Sequence, residues 1–259
     1  MTETISKLFW IARYTFLEIS KSRLIYAIFM LGFFIWLVAY VAAEFTYGVP
    51  ERVSLDFGMG MLSLSSLGVS IFLGSTLIYK EIENRTVYIV LTKPTSRSTF
   101  LMGKILGLIA VIILNTAILG FFTLSCYFFQ GGQWNSMAVW AIAFTIIESV
   151  AVLMAVIFFS LLTNPILTAL YGIGFAVVAH ALNEINQLFF VRENPLLQIF
   201  LGFLGYIIPN LSAMNLRSYL LYENAIEFEK LAMAAGSVCV YTFAMALLCC
   251  FIFSKKQFE

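Results

Sequence analysis

The chain has 259 residues, 61% of them hydrophobic and 11% charged, with a formal net charge of +1 and a mean hydropathy of +0.95. A soluble domain carries roughly 25% charged residues, so the composition excludes an ordinary water-soluble fold and points to a membrane protein built of helices. No stretch is polar enough to form a separate soluble domain, and residues 1–259 are expected to form a single transmembrane domain.

Residues 4–22 place Ile5, Leu8, Phe9, Ala12, Phe16 and Ile19 at helical spacing, with Lys7, Arg13, Glu18 and Lys21 between them. That spacing predicts an amphipathic helix whose basic face suits the membrane interface; packing on a soluble partner is the alternative. The apolar run that follows is too long for a signal peptide, so the first span is expected to stay in the mature protein. Six apolar segments come next, at about 24–43, 55–79, 105–129, 137–162, 166–182 and 231–253. At 1.5 Å per residue each can cross a hydrocarbon core of roughly 30 Å, the fifth only marginally.

Residues 196–208 lie between Pro195 and Pro209. As a helix they would reach only about 20 Å, so they read as a re-entrant or interfacial element. The fold class expected is therefore all-α integral membrane: six transmembrane helices, an N-terminal interfacial helix, a helix between spans 2 and 3, and a re-entrant element between spans 5 and 6.

Basic residues set the orientation. Lys7, Arg13, Lys21, Arg23, Lys80, Arg85, Lys93, Arg97, Lys104, Lys255 and Lys256 fall on the side of the termini, against Arg52, Arg192, Arg217 and Lys230 on the other. Both termini are expected in the cytoplasm, in a multi-pass protein of the cell's inner (cytoplasmic) membrane. Most of the tryptophans and several tyrosines sit near predicted span ends, as an interfacial belt does.

The loop after span 2 is long and structured in pattern. Glu81 and Glu83 sit where acidic residues favour the start of a helix, an apolar run from Val87 to Leu91 follows, and Lys93-Pro94 ends it. Pro94-Thr95-Ser96 offers a turn and a helix cap before Phe100 and Leu101 lead into span 3. A short helix with apolar and charged faces, projecting from a membrane, suits docking in a groove of another protein; lying on lipid headgroups is the alternative.

The order Glu81-x-Glu83-x-Arg85-Thr86, apolar run, Lys93-Pro94, Ser96-Arg97, Phe100, Gly103-Lys104 resembles the corresponding loop of type-2 ABC transporter permeases, in particular the branch of copper-maturation and gliding-motility permeases. The resemblance extends over the whole chain through its six-span layout. It implies that the loop is a coupling helix docking on a separate cytoplasmic ABC ATPase, with Glu81, Glu83, Arg85, Thr86, Lys93, Pro94 and Arg97 in or beside the contact. It further implies two permease copies, as a homodimer, and two ATPases. The chain lacks a GxxxxGK[ST] phosphate loop, so it is not expected to hydrolyse ATP by itself. No cofactor is expected in this chain, ATP and magnesium being bound by the partner. The substrate would be an amphiphile, or force would pass to a periplasmic partner. Lipid is a further contact, and no nucleic-acid partner is expected.

Glu148 lies near the middle of span 4, where a carboxylate costs about 2.5–3.5 kcal/mol on insertion scales. Three readings stay open: a transport or gating role, a structural hydrogen bond to a group such as Asn115, and lipid exposure. His180 and Glu184 stand four apart and could pair on one face. Gly103 and Gly107 would allow close helix contact at the start of span 3, whereas Gly172 and Gly174 read as a bend in span 5. Cys126, Cys239, Cys249 and Cys250 lack metal-site spacing and read as packing residues. Two other function classes remain: an ion-coupled carrier using Glu148, and a polytopic membrane enzyme using Glu148 with His180 or serines of the spans, for which neither HExxH nor Gly-x-Ser-x-Gly is present.

Overall fold

The computed structural model describes residues 2–46, 48–83, 96–185, 188–216 and 228–255. Those residues form α1 (Thr2–Ser20), α2 (Leu24–Glu44), α3 (Pro50–Glu83), α4 (Arg97–Phe129), α5 (Ser136–Leu162), α6 (Pro165–Ile185), α7 (Phe189–Glu193), α8 (Pro195–Ile207), a 3-10 turn at Ser212–Met214, and α9 (Phe228–Lys255). Helices α2, α3, α4, α5, α6 and α9 are each long and apolar enough to cross a membrane, so the protein is an all-α, multi-pass membrane protein.

Boundaries follow local chemistry. Helix α3 begins five residues earlier than its apolar run, at Pro50, because a first-position proline has no N–H to leave unbonded. Ser96 caps α4, its Oγ accepting from Thr99 N at 3.2 Å, so this helix also starts ahead of its apolar stretch. Asn135 caps α5 through Met137 N at 2.9 Å. Asn164 Oδ1 accepts from Leu167 N at 3.0 Å, beside Pro165 at the start of α6. Each cap satisfies a donor that the first helical turn leaves open.

One expectation is corrected here. Glu81 and Glu83 do not open a separate helix; they continue α3, which runs unbroken over 34 described residues. Nothing between Tyr79 and Glu83 interrupts a helix, since the stretch holds neither Gly nor Pro.

Helix α5 is the centre of the bundle. Its residues Ala151 to Ile157 are fully buried or nearly so, packed by α3 on one side and by α6 and α9 on others. Gly172 is a packing position: a Cβ there would stand 2.7 Å from a Val156 methyl on α5. Gly174 has nothing within 4 Å.

Helix α1 is fastened to α4. Cβ atoms at Gly103 and Gly107 would come within 2.7 Å of Ile11 Cγ2 and 2.6 Å of Thr15 Cβ, and the latter also within 2.8 Å of the Ala12 carbonyl oxygen. The Gly103/Gly107 stripe thus seats α1, with Thr15 fully buried. The face of α1 turned away exposes Ile5, Phe9, Trp10 and Tyr14, an apolar surface suited to a membrane interface.

At the opposite end, α8 is a 13-residue helix. Leu201 sits with Leu182 of α6 and Val191 of α7 in a small apolar cluster, while Leu196, Ile199, Phe200 and Phe203 face outward.

Candidate functional site

A buried polar pair lies between α5 and α6. Glu148 stands fourteen residues before the end of α5, and His180 fifteen after the start of α6. Only Thr163 and Asn164 separate the two helices, so both residues lie about 21–22 Å along their helices from the shared turn. The register brings His180 Nε2 to 2.5 Å from Glu148 Oε1. The glutamate side chain is 4% exposed and the imidazole 29%.

The hydrogen inventory of this pair is constrained. His180 Nδ1 lies 2.8 Å from the Ala176 carbonyl oxygen, which can only accept, so Nδ1 carries a hydrogen. One further proton then lies between Nε2 and Oε1. Held by nitrogen it makes an imidazolium–carboxylate pair; held by oxygen it makes a neutral imidazole and a carboxylic acid. Either way the pair is neutral overall, which lowers the cost of burying it.

The pair lines a cavity of about 650 Å³ bounded by α3, α5, α6 and residues 214–216. Met59, Leu67, Ile71, Ile173 and Val177 make its wall largely aliphatic, while Ser63, Thr145, Asn215 and Glu184 add polar points. Glu184 is exposed at its edge. The irregular strip that follows α8 forms one side and is tied down by its backbone: Leu211 N donates to the Ala179 carbonyl at 3.2 Å, and Leu211 is fully buried.

Of the residues singled out in the sequence, Glu148 reaches this cavity and Asn115 is engaged elsewhere. The Asn115 amide donates to Ser66 Oγ at 3.4 Å, and Ser66 shares a 3.1 Å hydrogen bond with Thr116. Asn115 Oδ1 is buried without a partner. Glu184, the suggested partner of His180, lies on the same cavity wall, but the imidazole is taken up by Glu148. Glu148 and His180, joined in sequence only as candidates of the enzyme reading, thus pair across two helices, while the four-residue spacing on one helix points to Glu184. The signal was the two-residue turn, which equates positions equally far from it.

The coupling residues divide. Arg85, Thr86, Lys93 and Pro94 lie outside the described residues, and for Glu81 and Glu83 only the backbone is described. Arg97 opens α4 and its guanidinium approaches the Ser254 carbonyl oxygen of α9 at 3.5 Å, where the negative end of that helix favours a cation. Lys104, which reads as a loop charge, is 7% exposed; it pairs with Glu18 of α1 at 3.7 Å and sits 5.8 Å from the Phe100 ring centroid. Among the described residues no group of three His, Cys, Asp or Glu side chains could hold a metal ion.

No protein-family model and no curated protein matches this chain.

Proposed function

We propose that this chain is the membrane subunit of an ATP-driven ABC exporter, or of a related complex that transmits force across the membrane. A separate ATPase binds ATP and magnesium, and two copies of this chain form the path. Residues 81–97 are the docking segment, held in the cytoplasm together with both termini of a protein of the cytoplasmic membrane. The reading rests on resemblance in sequence and on one structural observation: the pair of long helices that flank this segment. Helices α3 and α4 have 34 and 33 residues, about 50 Å each, against a hydrocarbon core of about 30 Å.

The apolar stretch of α3 runs through Leu77, Ile78 and Tyr79, and the helix continues without a break from Lys80 to Glu83, about one more turn. Displacement of its end is therefore carried into the bilayer as motion of a rigid rod, as in other switching transitions built on packed helices. On the return, the Ser96 cap fixes where α4 begins, and α1 clamps that first part through Gly103, Gly107 and the Lys104–Glu18 pair. A push on the 84–95 segment thus reaches α3, α4 and α1 together.

Charge reversal tests the docking role. In a complex of the chain co-expressed with its ATPase, Glu83→Lys or Arg85→Glu should weaken assembly at least about tenfold, the equivalent of roughly 1.4 kcal/mol. Unchanged assembly and unchanged coupled ATP hydrolysis in both variants would reject the docking role.

A further inference from the structure

The cavity between α3, α5 and α6 supports a statement about what it takes, independent of what drives the protein. We infer that it binds an amphiphilic organic monocation in exchange for the proton shared by Glu148 and His180.

Size and wall chemistry come first. About 650 Å³ falls within the roughly 300–1,000 Å³ typical of small-molecule sites. The wall is aliphatic over most of its extent and, among the described residues, offers no Lys or Arg, so an apolar body is accommodated and an anionic head meets no counter-charge from them. Among the described residues, the titratable groups facing the space are Glu148 from α5 and His180 and Glu184 from α6; α3 contributes Ser63 and the 214–216 strip contributes Asn215. Two carboxyl groups against one imidazole favour a positive guest.

Charge conservation then gives the mechanism. Empty, the Glu148–His180 pair holds one shared proton and is neutral. A permanent cation drawn to Glu148 makes that proton superfluous: two positive charges against one buried carboxylate would be expensive. The proton departs to solvent by way of the partly exposed imidazole, which stays neutral with Nδ1–H still donated to Ala176. Carboxylate and cation then form the neutral pair. No bond other than the N–H or O–H of that one proton breaks, and the charge of the site is the same before and after.

The test uses the purified full-length chain in nanodiscs, with protein-free nanodiscs as blank. The probes are 4-phenylbutyltrimethylammonium and its carbon isostere, in which a tert-butyl group replaces trimethylammonium. The expected result is binding of the cation at least about tenfold tighter than the isostere, with an affinity that rises by up to about tenfold per pH unit as linkage to one released proton requires. Weakly buffered samples should show release of about one proton per cation bound. Glu148→Gln should bring the two probes to within about twofold of each other. Equal binding of both probes by the unaltered chain, or cation binding with neither proton release nor pH dependence, would overturn the inference. Those two readouts need no variant, and they are separate from whether an ATPase assembles with the chain.

Discussion

At the scale of single residues, the Glu148–His180 contact decides how a carboxylate survives in the middle of α5. A buried charge whose partner is removed is far more costly than a pair that was never there. His180→Ala should therefore destabilise the chain by about 2–3 kcal/mol, somewhat below the roughly 3–5 kcal/mol for a fully buried pair because the imidazole is partly exposed. Glu148→Gln, which leaves no charge behind and keeps a hydrogen-bonding group, should cost less, about 1 kcal/mol. Thermal unfolding in detergent measures both, and a larger loss for Glu148→Gln than for His180→Ala would contradict this account. Glu148 was legible in the sequence, because an intramembrane carboxylate is conspicuous by its cost. Its direct hydrogen bond to His180 was not, because pairing across helices depends on register, which only the Thr163-Asn164 turn encodes. The same limit applied to Lys104, a residue that reads as a loop charge until α1 is laid over it.

At the scale of elements, the spans were legible almost to the residue where a cap or proline stands at the boundary, as at Asn135 and Asn164. They were least legible where a helix outruns its apolar stretch, at both ends of α3 and at the start of α4. Hydropathy marks what lies in the bilayer, whereas helix continuity depends on the absence of breakers. The seat of α1 is the element-scale feature with the sharpest test. Gly107→Ala would press a methyl into the Ala12 carbonyl and Thr15, and overpacking of this kind costs about 1–3 kcal/mol. Gly236→Ala on α9, where nothing lies within 4 Å, should be neutral or slightly stabilising, by up to about 1 kcal/mol. Unfolding measurements on the two variants, together with protease sensitivity of residues 2–20, compare them directly. If Gly107→Ala is as stable as Gly236→Ala and equally resistant, α1 is not held on α4 in the way described.

At the scale of the whole molecule, the bundle combines a centre built on α5 with levers that extend beyond it. The cavity opens beside that centre, between α3, which leads out to Glu83, and α6, to which the strip after α8 is tied. Motion of α3 therefore changes a wall of the cavity directly, which joins the proposed drive to the proposed cargo through one helix. The central claim is that this drive comes from a separate ATPase. Purification of the full-length chain from its native membrane, with identification of every co-purifying subunit and an assay of ATP hydrolysis, tests that claim most directly. The account predicts a phosphate-loop ATPase in about equal amount to the chain, and hydrolysis that falls when Glu83→Lys replaces the native residue. A chain that purifies intact, retains cation binding, and brings down no ATPase would contradict it.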